Sequence, residues 1–317
     1  KLRRILSTTV PLALGVFFIA FSFYNTTPQD RKNILNAIQN ADFLFVAVSV
    51  LCGITSHLIR ANRWQLMLSP IGYNTSFVNS VLIVLITYLS NLGIPRSGEF
   101  LRATALKTYE NVPFEKGLGT IVLERLIDII LLFLFFGIAG LLHTAWLGDY
   151  ISKTSTVGWT IVLAVVFGGL FFGFQKIIKN PSNQWLQKIS VFLKGLQEGI
   201  LSIRKIPKKR TFVIQSTLIW ILYFVMFDVV KYSIAETAHL TMAETLPAFI
   251  AGALAISTTN GGIGLYPVAV SAVLMQFDVS LEASLALGWI VWTAQTIMVV
   301  FFGTISFLLL PVVNRNN

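Results

Sequence analysis

Six stretches of this sequence are apolar for about twenty residues each, long enough to cross the ~30 Å hydrocarbon core of a bilayer as single helices. They lie at about 5–24, 41–60, 117–142, 157–175, 212–234 and 283–310. In hydrocarbon every backbone N–H and C=O must find a partner within the chain, and uninterrupted runs of this length do so as α-helices. Composition agrees: 55% of residues are hydrophobic and 12% charged, where soluble chains carry about 25% charged residues. The sequence therefore predicts an all-α, polytopic integral membrane bundle, a single membrane domain over residues 1–317.

Two further regions are apolar but interrupted. Residues 76–92 run into Asn91-Leu92-Gly93-Ile94-Pro95-Arg96-Ser97-Gly98-Glu99, and a helical segment of about 13 residues follows, covering only ~20 Å. Residues 245–258 run into Asn260-Gly261-Gly262-Ile263-Gly264-Leu265-Tyr266-Pro267 before another short helix. Both are predicted as re-entrant helical hairpins, at about 76–109 and 245–277. Non-helical backbone at membrane depth is tolerated only where it is buried in protein or lines a wet cavity. Ser97 is expected to cap one second half-helix, and Pro267 suits the first turn of the other. Free N–H groups and positive dipole ends would then point at the bilayer middle and favour an anion. Arg96 adds a formal charge beside the first tip. Arg96, Ser97, Gly98, Arg125, Asn260, Gly261, Gly262 and Gly264 are accordingly the candidate substrate-binding residues.

Charged residues inside spans are costly and face a cavity or a partner. Glu124, Arg125 and Asp128 lie in the 117–142 span, at helical spacings that let them interact. With Arg63, Glu99, Arg102 and Asp228 they form a candidate structural or gating network. They either hold the first hairpin or contact substrate directly. Asp228 and Lys231, three apart, read as an interfacial salt bridge near the outer face. Arg60, Arg63 and Trp64 read as a basic–aromatic anchor at the inner end of the second span.

The +10 net charge follows the positive-inside bias of a membrane protein. With six spans and two hairpins, both termini lie inside, and of the 24 lysines and arginines only Arg31, Lys32, Lys153 and Lys231 fall outside. A cytoplasmic insert at 176–210 carries an amphipathic helix suited to the interface, with Trp185, Ile189, Phe192, Leu193, Leu196, Ile200 and Ile203 on one face. The basic run Arg204-Lys205-Ile206-Pro207-Lys208-Lys209-Arg210 ends it and is expected to meet anionic lipid. No nucleic-acid partner is expected. The segment Asn111-Val112-Pro113-Phe114-Glu115-Lys116-Gly117-Leu118 can be laid on Asp278-Val279-Ser280-Leu281-Glu282-Ala283-Ser284-Leu285. Each follows a broken helix and precedes a long span. Under the counted topology the two units are inverted, an arrangement that places a transport site at the repeat interface.

Other chemistry is thin. The sole cysteine, Cys52, sits in an apolar run, and His57, His143 and His239 are far apart, so no metal site and no cofactor are expected. No nucleotide-binding or hydrolase motif occurs.

Four pieces carry a family resemblance: Arg60-Ala61-Asn62-Arg63-Trp64 with Leu66 and Leu68; the stretch from Asn91 through Glu99 continued by Phe100-Leu101-Arg102-Ala103; Val122-Leu123-Glu124-Arg125-Leu126-Ile127-Asp128; and Gly261-Gly262-Ile263-Gly264. In this order the chain resembles the lysylphosphatidylglycerol synthase membrane-domain family, also called flippase-like. The resemblance implies a domain that moves lipids or lipid-linked headgroups across the bilayer. The soluble transferase that follows it in the bifunctional synthases is not expected here. Many members carry an acidic residue shortly after the glycine motif, where this chain has Tyr266-Pro267, so an acidic contact to a cationic headgroup is not carried over. The expected function is a non-enzymatic flippase or transporter in the cell inner (cytoplasmic) membrane. Its partner would be a phospholipid or polyprenyl-phosphate-type lipid. The rival readings are a membrane transferase using Glu124 and Asp128 as acid or base, and a membrane partner of a separately encoded enzyme. A homo-oligomer is compatible with each.

Overall fold

The computed structural model describes Tyr24 and residues 27–94, 96–143 and 184–315, with the side chains of 184–189 and 192 left aside. The expected spans at 5–24 and 157–175 lie outside the described residues, apart from Tyr24. The described residues form helices joined by short loops, with no strand among them. In chain order the helices are α1 (Pro28–Gln39), α2 (Phe43–Leu68), α3 (Phe77–Gly93), α4 (Ser97–Glu110), α5 (Phe114–Leu142), α6 (Gln184–Lys205), α7 (Lys209–Asp228), α8 (Met242–Thr258), α9 (Leu265–Leu274) and α10 (Leu281–Val313). Among them α2 and α7, each with a short 3₁₀ extension, and α10 are long and apolar enough to cross a membrane. Their outer faces, and that of α5, expose Phe133, Leu141, Ile214, Phe301, Leu308 and Val312. Such an apolar surface suits lipid rather than water.

Local chemistry sets the helix ends. Pro28 opens α1 and Thr27 caps it in a capping box with Asp30. The Thr27 backbone N–H donates to the Asp30 carboxylate and holds it below the usual carboxylate range. A second box joins Thr241 and Glu244 at the start of α8.

Two helix–break–helix units stand where the sequence predicts hairpins: α3–α4, in which the helix ends at Gly93 and resumes at Ser97, and α8–α9, broken at 259–264. They enter the bundle from opposite ends. At the mouth of α3–α4, Glu110 accepts from Asn79 Nδ2 at 2.6 Å and from the Ser76 N–H at 3.1 Å, while Asn79 and Asn314 exchange side-chain hydrogen bonds. Asn314 is the C-cap of α10. At the mouth of α8–α9, His143 at the end of α5 bonds the Ala243 carbonyl and packs at a tilt against Phe277. The 29 residues of α5 therefore run from the first mouth to the second, and the 33 residues of α10 run back. The hydrophobic core divides the same way. One cluster surrounds α8–α9 and draws on Ala41, Ala139 and Phe227; the other surrounds α3–α4 and draws on Trp64, Ile121, Phe212 and Leu310.

The eight-residue match between the units has a structural counterpart. Asn111 and Asp278 both take the left-handed conformation (φ 54° and 58°) as the chain leaves each unit. Val112 and Val279, which follow them, are both buried. Asparagine and aspartate are the side chains that best tolerate that conformation.

Helix α6 differs from an interface-only helix. Gly195 and Gly199 turn toward the start of α5, where a Cβ on Gly199 would lie 2.6 Å from the Lys116 carbonyl oxygen and 2.7 Å from Gly119 Cα. Lys116 and Glu198 close the contact with an ion pair at 2.9 Å. Val191, Leu201 and Ile203 remain exposed on α6. Gly199→Leu is therefore expected to separate α6 from α5 and to destabilise the fold by about 1–3 kcal/mol through overpacking. Loss of protease protection around residue 205 with little change in total helicity is the measurement that checks it.

Candidate functional site

The site grows from one turn of α5. Glu124 is fully buried and Asp128, one turn on, is 12% exposed. Asp128 lies fourteen residues into the 29-residue α5, at its middle. From α2 come Arg60 and Arg63, from α4 Arg102, none more than 2% exposed. Arg60 forms an ion pair with Glu124 and reaches Asp128 at 2.9 Å. Arg63 lies 3.4 Å from Asp128 and 3.7 Å from Glu124. Arg102 holds both Glu124 oxygens, at 3.2 and 3.0 Å, and stacks 3.7 Å over the Trp64 ring. Trp64 in turn donates to Thr120 Oγ1 at 3.0 Å. Arg60 Nε donates to the Tyr223 hydroxyl, which pairs with that of Tyr88. Tyr88 lies against His57. The edge of the cluster is Arg125, 38% exposed, with Nη2 3.3 Å from Glu99 Oε1 and Nη1 3.7 Å from Asp128.

Sequence reasoning placed Arg63, Glu99, Arg102, Glu124, Arg125 and Asp128 in this region, and the structure brings them together. It missed Arg60. Arg60 and Arg63 are not an interfacial anchor, because α2 continues to Leu68 and both guanidinium groups turn inward to the α5 carboxylates. The signal was available: two arginines three apart on one helix face, and two carboxylates four apart on another, are complementary. Arg60, Arg63 and Arg102 thus leave the inner-face charge count, but so does Lys231 on the outer side, and the bias survives. Asp228 stands apart from the cluster. It is buried with Lys231 at 2.9 Å and accepts from Thr245 of α8, so this pair ties α7 to the second unit and is not an exposed interfacial bridge.

The first break also needs correction. Ser97 does not cap α4. Its hydroxyl donates to the Ser90 and Ile94 carbonyls at the end of α3, at 3.1 and 2.8 Å. The cap comes from Asn91, whose Oδ1 accepts the Gly98 N–H at 2.8 Å. A Cβ on Gly98 would lie 2.2 Å from the Thr87 carbonyl oxygen, so Gly98 serves close packing of α4 on α3. The Ser97 and Gly98 amides at the start of α4 are thereby engaged, Ser97 N–H by Ile94 O and Gly98 N–H by Asn91. Arg96 is exposed at the turn in the left-handed conformation, φ 59°.

At the second break Gly261, Gly262 and Gly264 all have positive φ, and the Gly261 carbonyl accepts from Trp292 Nε1 of α10 at 2.8 Å. The Tyr266 and Leu265 N–H groups bond the Gly262 and Ile263 carbonyls, so these amides too are engaged locally. Asn260 is buried with Oδ1 unpartnered. The two tips meet, since a Cβ on Gly261 would lie 2.5 Å from Leu92. Among the described residues no group of three metal-ligating side chains occurs.

A helical membrane bundle with two broken helix pairs touching tip to tip, and a buried arginine–carboxylate cluster beside them, is the class of protein seen here. The chain belongs to the lysylphosphatidylglycerol synthase transmembrane-region family, whose model matches residues 9–303. It is similar to a UPF0104 membrane protein of Methanocaldococcus jannaschii, 27% identical over 43% of this chain and 40% of that protein. A UPF0104 membrane protein of Methanothermobacter thermautotrophicus is 22% identical over 67% of this chain and 60% of its own length. Glycosyltransferase AglD of Haloferax volcanii is 25% identical over 48% of this chain and 23% of that protein. The chain thus spans less than two thirds of each of these relatives. No solved structure matches.

Proposed function

We propose that this protein moves a lipid or lipid-linked, phosphate-bearing substrate across the cytoplasmic membrane and catalyses no covalent step. The observation that carries this reading is the buried cluster: four arginines against three carboxylates, at mid-bundle, in contact with α4 of the first unit. A family of membrane proteins associated with lipid substrates supplies the context. The surplus positive charge suits an anionic headgroup, and the two units entering from opposite ends suit alternating exposure by rocking of inverted, re-entrant halves. The counted charge bias supports an orientation with both termini and the mouth of the first hairpin in the cytoplasm. Arg96, exposed at the first tip, is the outlying charge that attracts the headgroup.

The test is purified protein in liposomes containing fluorescent phosphatidylglycerol, with the folded fraction measured first. Protein-dependent translocation is expected. Arg96→Gln is expected to slow it severalfold while leaving the fold intact, and Arg96→Lys to fall between, because lysine keeps the charge but not the planar fork. Folded protein that moves no labelled phospholipid overturns the reading. The named glycosyltransferase among the relatives favours one second reading, a membrane partner of a separately encoded lipid-modifying enzyme. Translocation only in the presence of such a partner, or as part of a homo-oligomer with one, is its mark.

A further inference from the structure

Resting on that reading, we infer that Glu99 is a built-in stand-in for the substrate's phosphate: its carboxylate occupies the Arg125 guanidinium, and a phosphate monoester or diester displaces it to bind there.

Four observations place the seat at Arg125 and not at the helix ends. The Ser97 and Gly98 amides of α4 and the Leu265 and Tyr266 amides of α9 are engaged by local acceptors, and Pro267 has no N–H, so neither break offers the full ring of free donors that a helix start can present. Arg60, Arg63 and Arg102 are at most 2% exposed and already share Glu124 and Asp128, whereas Arg125 is 38% exposed. The Arg125–Glu99 pair is half-made. Glu99 Oε1 meets Nη2 at 3.3 Å, while Glu99 Oε2 and Arg125 Nε are both buried without a partner. A guanidinium and a carboxylate joined through one oxygen forgo the two parallel bonds that make such pairs strong. Lastly, with Glu99 counted the cluster still carries one surplus positive charge.

A phosphate answers all of this. Its unesterified oxygens can take the Nε and Nη2 donors together, the planar recognition for which arginine is suited. A carboxylate oxygen left buried and unbonded is costly, so freeing Glu99 from that position favours the exchange. Glu99 lies in the first turn of α4, directly beyond the break. Displacing it frees that turn from α5, so an occupied site and an unpinned hairpin tip arise in one event. The same carboxylate, returning to Arg125, helps expel the phosphate.

The test titrates purified protein in detergent micelles with dioleoylphosphatidylglycerol, inorganic phosphate and uncharged dioleoylglycerol, read by calorimetry. Melting temperatures are recorded for every variant. Glu99→Gln is expected to bind the phospholipid about fivefold more tightly than wild type, because the internal competitor is gone, and Arg125→Gln about tenfold more weakly. Dioleoylglycerol should not bind in any of them. In wild type, carbodiimide labelling of Glu99 should rise when phosphatidylglycerol is added, which tests the displacement with no substitution at all. Folded Glu99→Gln that binds phospholipid no more tightly than wild type overturns the inference while leaving the lipid reading standing, and so does bound phospholipid with unchanged labelling of Glu99. Inorganic phosphate that binds as tightly as the lipid, with the same response to both variants, supports the seat but assigns it to free phosphate and removes the lipid reading. Equal binding of dioleoylglycerol overturns both.

Discussion

Glu124→Ala is expected to abolish folded protein. Glu124 is fully buried and is the one carboxylate shared by Arg60, Arg63 and Arg102. Without it, Arg102 loses its carboxylate partner altogether, and Arg60 and Arg63, like it at most 2% exposed, are left with Asp128 alone. Breaking a buried ion pair by removing one partner costs about 3–5 kcal/mol because the other charge stays behind uncompensated. Here one guanidinium is stranded and two must share a single carboxylate, against a total stability of only about 5–15 kcal/mol. The measurement is the monodisperse fraction and melting temperature after solubilisation. Glu124→Ala combined with Arg102→Leu should recover part of the yield, since Arg102 alone holds both Glu124 oxygens. A Glu124→Ala protein with wild-type yield and melting temperature would mean the cluster does not hold the bundle together.

Two glycines of the first unit should respond to the same substitution with opposite signs. Gly98→Ala places a methyl 2.2 Å from the Thr87 carbonyl oxygen, a contact with rigid helix backbone. The chain can relieve it only by lifting α4 from α3, which pulls Gly98 N–H from Asn91 and moves Glu99 and Arg102 with it. The expected loss exceeds the ~1–3 kcal/mol of ordinary overpacking. Gly93, five residues earlier, has open space where its Cβ would stand. Gly93 is the last residue of α3 and has no positive φ, so Gly93→Ala should stabilise slightly, by less than the ~0.5–1 kcal/mol of a helix interior. Thermal unfolding of the pair in one detergent checks both. Equal shifts would show that the α3–α4 approach does not depend on a missing side chain.

The helices and the two breaks could be read from the sequence because both have local causes. Long apolar runs in hydrocarbon have to satisfy their own backbones, and clusters such as Gly261-Gly262 interrupt that satisfaction in place. The eight-residue correspondence between the two units could be read for the same reason: Asn111 and Asp278 prescribe one turn each. What misled was a choice of partner. Ser97 is a good cap by type, yet its hydroxyl turns back to α3 and Asn91, across the break, takes the role. Arg60 looks like an anchor while its helix is taken to end at residue 60. Only the position of Glu124, 64 residues away, decides that it turns inward. The G-x-x-x-G spacing of Gly195 and Gly199, a familiar helix-contact signal, was hidden inside an amphipathic pattern that accounts for the other face of α6.

The separation of Arg60 from Glu124 also bears on biosynthesis. The chain is made from its N-terminus, so α2, with two arginines inside its apolar length, leaves the ribosome before any of its carboxylate partners exists. An arginine at the centre of a helix opposes insertion by about 2.5–3.5 kcal/mol. At ordinary elongation rates of ~5–20 residues per second, the 64-residue interval keeps α2 waiting for roughly 3–13 s. Stable entry of α2 into lipid is therefore a joint event with α5, and the pair should leave the translocon together. Cys52 of α2, the sole cysteine, should react with a water-borne maleimide in ribosome-bound chains too short to have released α5, and be protected in chains long enough to have released it.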